Sequence, residues 1–95
     1  MMAFSLSESV ISLYRQIDFD EGEALQLFAR YSGSPDHGGY AIGVQKGHPT
    51  DNDYIQEYEG LTVFVRPDDQ WFVQDMMLDY DEQEDFFSFE FPAVL

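Results

Sequence analysis

Between Glu59 and Glu82 the chain reads EGLTVFVRPDDQWFVQDMMLDYDE, three apolar pulses cut by polar breaks. Leu61, Val63 and Val65 alternate with Thr62, Phe64 and Arg66, the period of a half-buried strand. Pro67-Asp68-Asp69 interrupts that run as a turn would. Trp71 to Val73 predicts a second short strand and Met76 to Tyr80 a third, with polar Gln74-Asp75 between them. The expectation is a meander of short antiparallel strands, with Trp71, the only tryptophan, packed near its middle.

The flanking sequence supplies elements to cover such a unit. Ser7 is a candidate helix N-cap, and Ser5 with Glu8 fits a capping box. Val10, Leu13, Tyr14 and Ile17 follow at helical spacing, so the prediction is an amphipathic helix from Glu8 to Ile17. Asp18 to Glu23 is an acidic loop. Ala24 to Tyr31 predicts a strand with Leu25, Leu27, Ala29 and Tyr31 on one side. Phe28 breaks the alternation, as a residue covering a second apolar surface would. A glycine-rich loop, Ser32 to Gly39, leads to a strand through Tyr40, Ile42 and Val44, and the two strands can form a long-looped hairpin. Lys46 to Asp53 reads as a surface loop and Tyr54 to Tyr58 as a strand. Glu59-Gly60 fits a tight connection into Leu61 to Val65. Phe87, Phe89 and Phe91 alternate with Ser88 and Glu90 in a last strand from Phe86 to Phe91. The tally of one helix and about seven short strands predicts an α+β fold with a mostly antiparallel sheet.

Ninety-five residues suit a single domain over 1–95 with one modest core. Sixteen aromatics argue against disorder despite the charge. Nineteen acids face only Arg15, Arg30, Lys46 and Arg66, for a formal net charge of -15. That balance disfavours nucleic acid phosphates and anionic membranes and suits a basic protein surface, cations or simple solubility. With no cysteine, thiolate metal sites and disulfides are excluded. No apolar run is long enough to span a bilayer, and the expected location is the cytoplasm.

Three clusters carry candidate chemistry. The loop Ser34-Pro35-Asp36-His37-Gly38-Gly39 sets a carboxylate beside an imidazole, and Asp36 and His37 are the candidate metal ligands. The bland alternative is a solvated loop. His48 would complete a two-His site only if the fold joined it to His37, and a structural metal wants three or four ligands. Asp79 and Asp81 share one side of the Met76–Tyr80 strand and could hold a hard cation; the alternative is a charged turn that discourages edge pairing. Asp51-Asn52-Asp53 lacks the glycine of a calcium loop. Ser34 near His37 superficially suggests a nucleophile pair, yet no partner orients it and no catalytic motif occurs, so the chain is not expected to be an enzyme.

The stretches SLSESV, ALQLFARYSG, GGYAIGV, EGLTVFVRPDDQWFVQDMMLDYDE and FSFEFP, in this order and spacing, resemble the HesB-like, IscA-like family of iron–sulfur cluster biosynthesis proteins. The resemblance runs from Phe4 to Pro92. It implies an N-terminal helix packed on a compact, mostly antiparallel β half-barrel or sandwich. It also implies a cysteine after the Ser-Gly that ends the first long strand, and a Cys-Gly-Cys tail. Here Ser34 stands at the first position, and Leu95 is the last residue, where the tail would follow. Serine hydroxyls do not replace the thiolates that hold clusters. A cysteine-less member of this family is expected to be a non-catalytic accessory protein of iron–sulfur metabolism. It would bind at most weakly held iron through Asp36, His37 and carboxylates, or dock to assembly proteins. The competing expectation is an acidic protein-interaction module with no metal role.

Overall fold

A computed structural model describes residues 4–33 and 39–90. The chain enters through β1 (Ser5–Leu6) and turns at Ser7 into α1 (Glu8–Tyr14). Ser7 caps the helix, its Oγ accepting the Val10 N–H at 3.4 Å. The helix is three residues shorter than its apolar stripe suggested. After Tyr14 the bonds tighten, with Gln16 N–H to Leu13 O at 3.3 Å and Ile17 N–H to Tyr14 O at 3.2 Å. Ile17 therefore still reaches the core margin from a turn.

The larger sheet is built from two hairpins. β2 (Ala24–Tyr31) and β3 (Tyr40–Gly47) are antiparallel, with Ala24 opposite Gly47 and Tyr31 opposite Tyr40. β4 (Tyr54–Tyr58) and β5 (Leu61–Val65) are joined at Glu59 and Gly60, whose φ angles of 48° and 92° are the left-handed pair that a two-residue hairpin turn needs. The hairpins meet through a parallel pairing of β2 with β5, giving the order β3-β2-β5-β4. A smaller sheet follows, β6 (Met77–Asp81) between β1 and β7 (Phe86–Glu90). Three of the five strand pairings are antiparallel; β1–β6 and β2–β5 are parallel. The molecule is thus mostly sheet, in two open sheets with two short helices.

The expected meander does not form. β5 and β6 lie in different sheets, and what was read as a strand at Trp71–Val73 is the helix α2 (Gln70–Val73). Pro67 opens a 3₁₀ turn over Pro67–Asp69 that runs straight into α2. Phe72, Val73 and Met76 are buried, a helix-like i, i+1, i+4 set rather than an alternation. That set turns Trp71 outward, and it is 60% exposed rather than central. Alternation resumes in β6, with Met77 exposed and Leu78 buried.

The main core lies between the sheets. Leu25, Leu27, Leu61, Val63 and Val65 from the larger sheet meet Val10 and Ile11 of α1, Phe72 and Val73 of α2, and Leu78 of β6. The opposite face of the larger sheet also hides residues of its own. Phe64 is fully buried, and Gln26 is buried with its Oε1 accepting from Gln45 Nε2 at 3.1 Å. Phe28 also lies on this face, its ring folded across Gly43 where a Cβ would meet it at 2.3 Å. This is the second apolar surface that its break in alternation suggested.

The N-terminal segment is tied to β4 by Tyr58, whose hydroxyl donates to the Phe4 carbonyl at 2.8 Å. Burial, then the neighbouring Tyr54, pushes the Tyr58 hydroxyl up to about 12, partly offset by its bond with Gln56. The folded state therefore holds this proton more tightly than the unfolded chain. Its contribution is complete below the ordinary tyrosine value of 10.0 and is lost as pH rises toward about 12. Urea midpoints are expected to fall across that window, and Tyr58→Phe is expected to flatten the fall.

Candidate functional site

The described residues that flank the loop 34–38 form the best-defined exposed constellation. β2 and β3 converge there, and the loop mouth is pinned on one oxygen. The Gly39 carbonyl accepts the Ser32 N–H at 2.8 Å, the Gly33 N–H at 3.1 Å and the Ser32 hydroxyl at 3.2 Å. Gly33 and Gly39 have φ of 77° and 91°, a conformation that side chains resist.

Beside this mouth the aromatics of three elements meet. Tyr31 and Tyr40 pack edge to face at 5.6 Å, and Tyr40 and Trp71 do so at 5.2 Å. Phe72 lies 5.5 Å from Trp71 and 6.1 Å from Tyr40, and it reaches Phe89 at 5.9 Å. The cluster is thus rooted in the core through Phe72 and surfaces at Trp71 and at Tyr31, which is 72% exposed. Exposed Asp68 and Asp75 bracket Trp71 along the chain, with Asp75 at a left-handed φ of 61°.

One hydrogen bond places α2 against β2. β5 pairs with β2 only as far as Leu27. Beyond that, the Ala29 N–H would lack a strand partner, and Asp69 Oδ1 accepts it at 3.2 Å. Asp69→Ala is expected to cost about 1 kcal/mol, the scale of one net hydrogen bond. Hydrogen exchange at the Ala29 amide should speed up in that variant while the amide of Leu27 is unchanged.

The carboxylates and imidazoles singled out in the sequence have varied placements. Asp36, His37 and Ser34 lie outside the described residues. His48 is exposed, its Nδ1 lying 3.2 Å from the Gly22 carbonyl and its own carbonyl taking Arg66 Nη2 at 3.3 Å. Asp79 and Asp81 each turn an oxygen to the local chain. Asp79 Oδ1 accepts the Tyr80 N–H at 2.8 Å and the Ser9 hydroxyl at 3.2 Å. The hydroxyl of Ser7, the Tyr80 N–H and the Ser9 hydroxyl hold its carboxyl below the usual carboxylate value. Asp81 Oδ1 accepts the Gln83 and Glu84 N–H groups at 3.0 and 3.3 Å and so builds the β6–β7 turn. Asp53 pairs with Arg66 at 3.4 Å and takes the Thr50 N–H at 2.7 Å, closing the 48–53 loop. Among the described residues no three of His, Cys, Asp and Glu come together as metal ligands would.

The strand expected at Trp71–Val73 hides the aromatic cluster, which forms only because this segment is helical. The available signal was local. Adjacent Phe72 and Val73, following Pro-Asp-Asp, fit a helical first turn better than a strand.

Comparison with known proteins gives a consistent frame. A family model for iron–sulphur cluster biosynthesis matches residues 2–95. The pyruvate dehydrogenase inhibitor of Bacillus subtilis (strain 168) is 28% identical over 94 residues, covering 95% of this chain and 99% of that protein. The crystal structure of Escherichia coli SufA, involved in biosynthesis of iron–sulfur clusters, matches with a TM-score of 0.68 over 94% of this chain and 85% of that one. At 17% identity, that likeness concerns the fold. No helix among the described residues is long and apolar enough to cross a membrane. The chain, with no cysteine among its 95 residues, belongs to the iron–sulphur cluster biosynthesis family.

Proposed function

We propose that this protein works by binding another protein rather than by carrying a cluster, and that its target is a pyruvate dehydrogenase, which it inhibits. The observation that carries the reading is the aromatic cluster in which exposed Tyr31 and Trp71 pack on half-buried Tyr40. It lies beside the loop where a cluster-binding relative would place its first cysteine, in a chain that has none. Buried-capable aromatics with a polar handle are the residues that dominate protein interfaces. The flanking Asp68 and Asp75, in a chain of net charge -15, favour a target with a basic rim. The name of the Bacillus subtilis relative, aligned over nearly both whole chains, supports the target class. In this reading the protein acts in the cytoplasm and is not itself an enzyme.

Purified pyruvate dehydrogenase from the same organism, immobilised and titrated with the chain, tests this. Binding with an association rate that falls steeply with salt is expected, because rim charges steer encounter and are screened. No binding at low salt would refute the reading.

The family match favours a second reading, an accessory role in iron–sulfur metabolism with weak iron binding at Asp36 and His37. An anaerobic Fe²⁺ titration by calorimetry separates the two. Heat lost in His37→Ala supports the iron role, and heat indifferent to that change removes it.

A further inference from the structure

Among the described residues, the order β3-β2-β5-β4 leaves β3 paired on one side only. The phase of its ladder can be read from the loop mouth. Ser32 donates to Gly39, so the pairs in step with it, Arg30 with Ala41 and Phe28 with Gly43, are the hydrogen-bonded ones. The N–H and C=O groups of Ile42 and Val44 then point away from β2, and no described element pairs with that side.

A groove of about 460 Å³ opens along this edge. Leu78, Phe87 and Phe89 of the smaller sheet line its inner wall. Its outer wall comes from β2, because β3 carries only Ala41 and Gly43 there. Phe28 folds across Gly43, and Arg30, opposite Ala41, reaches the same groove. No carboxylate lines it among the described residues. Arg30 is also unlike the other three cations. Arg15 lies 3.8 Å from Glu59, Arg66 pairs with Asp53, and Lys46 donates to the Asp18 carbonyl at 2.8 Å. Arg30 is exposed and makes no ion pair among the described residues, in a chain with nineteen acids.

We propose that the free edge of β3 accepts an extended peptide as an added strand, with Arg30 receiving a carboxylate side chain from it. Three features select this occupant together. Unpaired strand amides at Ile42 and Val44 ask for a backbone partner. The inner wall takes apolar side chains from one face of the incoming strand. The guanidinium takes an acid from the other face, as strand alternation requires. The partner segment is thus apolar at every second residue, with an acid between. This groove shares Phe89 with the root of the aromatic cluster, but the proposal does not depend on the target proposed above.

The test uses the full chain, labelled with ¹⁵N, and an acetylated, amidated Thr-Val-Glu-Val-Thr peptide at millimolar concentration. Hydrogen exchange at the Ile42 and Val44 amides should slow at least tenfold, with the Arg30 side-chain resonance shifting. Arg30→Gln should weaken this peptide about tenfold while leaving a Gln-for-Glu peptide unaffected. Unchanged exchange at Ile42 and Val44 would overturn the proposal, as would equal affinity of the two peptides for the unmodified chain. Protection that appears with protein concentration and no peptide would assign the edge to a second copy instead, and would equally overturn it.

Discussion

Phe64→Ala is expected to destabilise the protein by about 3–5 kcal/mol, the range for emptying a buried aromatic site. Small domains are typically stable by only about 5–15 kcal/mol, so this variant should be largely unfolded in mild urea. The effect is large because Phe64 is fully buried although it lies on the face of β5 turned away from the main core. Its ring fits against Gly47, where a Cβ would stand 3.0 Å from Cζ, and the Arg66 guanidinium lies 5.5 Å from its centroid. Loops 18–23 and 48–53 meet nearby through His48 and Gly22. Ile55, opposite Phe64 in the ladder but 48% exposed, is the matched control, and Ile55→Ala should cost less than about 1 kcal/mol. Urea midpoints of the two variants check both expectations.

The second large effect is functional. On the proposed function, replacing Tyr31 by serine and Trp71 by alanine together should strongly weaken inhibition of pyruvate dehydrogenase while changing stability little. Both side chains are mostly exposed, so their removal takes little apolar area out of the core. Exposed aromatics at the centre of an interface commonly cost 2 kcal/mol or more each on truncation, roughly a thirtyfold loss of affinity per residue. Phe72 stays in the double variant and keeps α2 seated on the core. An inhibition curve displaced at least a hundredfold, with an unchanged urea midpoint, is the expected result.

These two predictions also mark where the sequence was readable. The β2–β3 and β4–β5 hairpins were legible because local alternation and the Glu59-Gly60 turn act over a few residues. Ser7 as N-cap was legible for the same reason. The pairing of β2 with β5 and the separation of β5 from β6 were not, since both are set by packing between distant segments. The burial of Phe64 was not legible either, because alternation sets it opposite Leu61, Val63 and Val65 but does not say that both faces are covered. The same limit misplaced Trp71. A short helix of four residues leaves too little periodicity to distinguish it from a strand. For Asp79 and Asp81 the charged turn, the alternative to a cation site, is the reading that the hydrogen bonds favour. One oxygen of each, Oδ1, accepts from backbone or hydroxyl donors of the neighbouring segments.

The central claim is that Trp71 meets a protein partner. Being the only tryptophan, it would give a single fluorine resonance when replaced biosynthetically by fluorotryptophan. Titration with pyruvate dehydrogenase should shift and broaden that resonance in step with loss of enzyme activity, as an indole 60% exposed becomes covered. A resonance that stays sharp and unshifted while the enzyme is inhibited, or an enzyme that is never inhibited, would contradict the account.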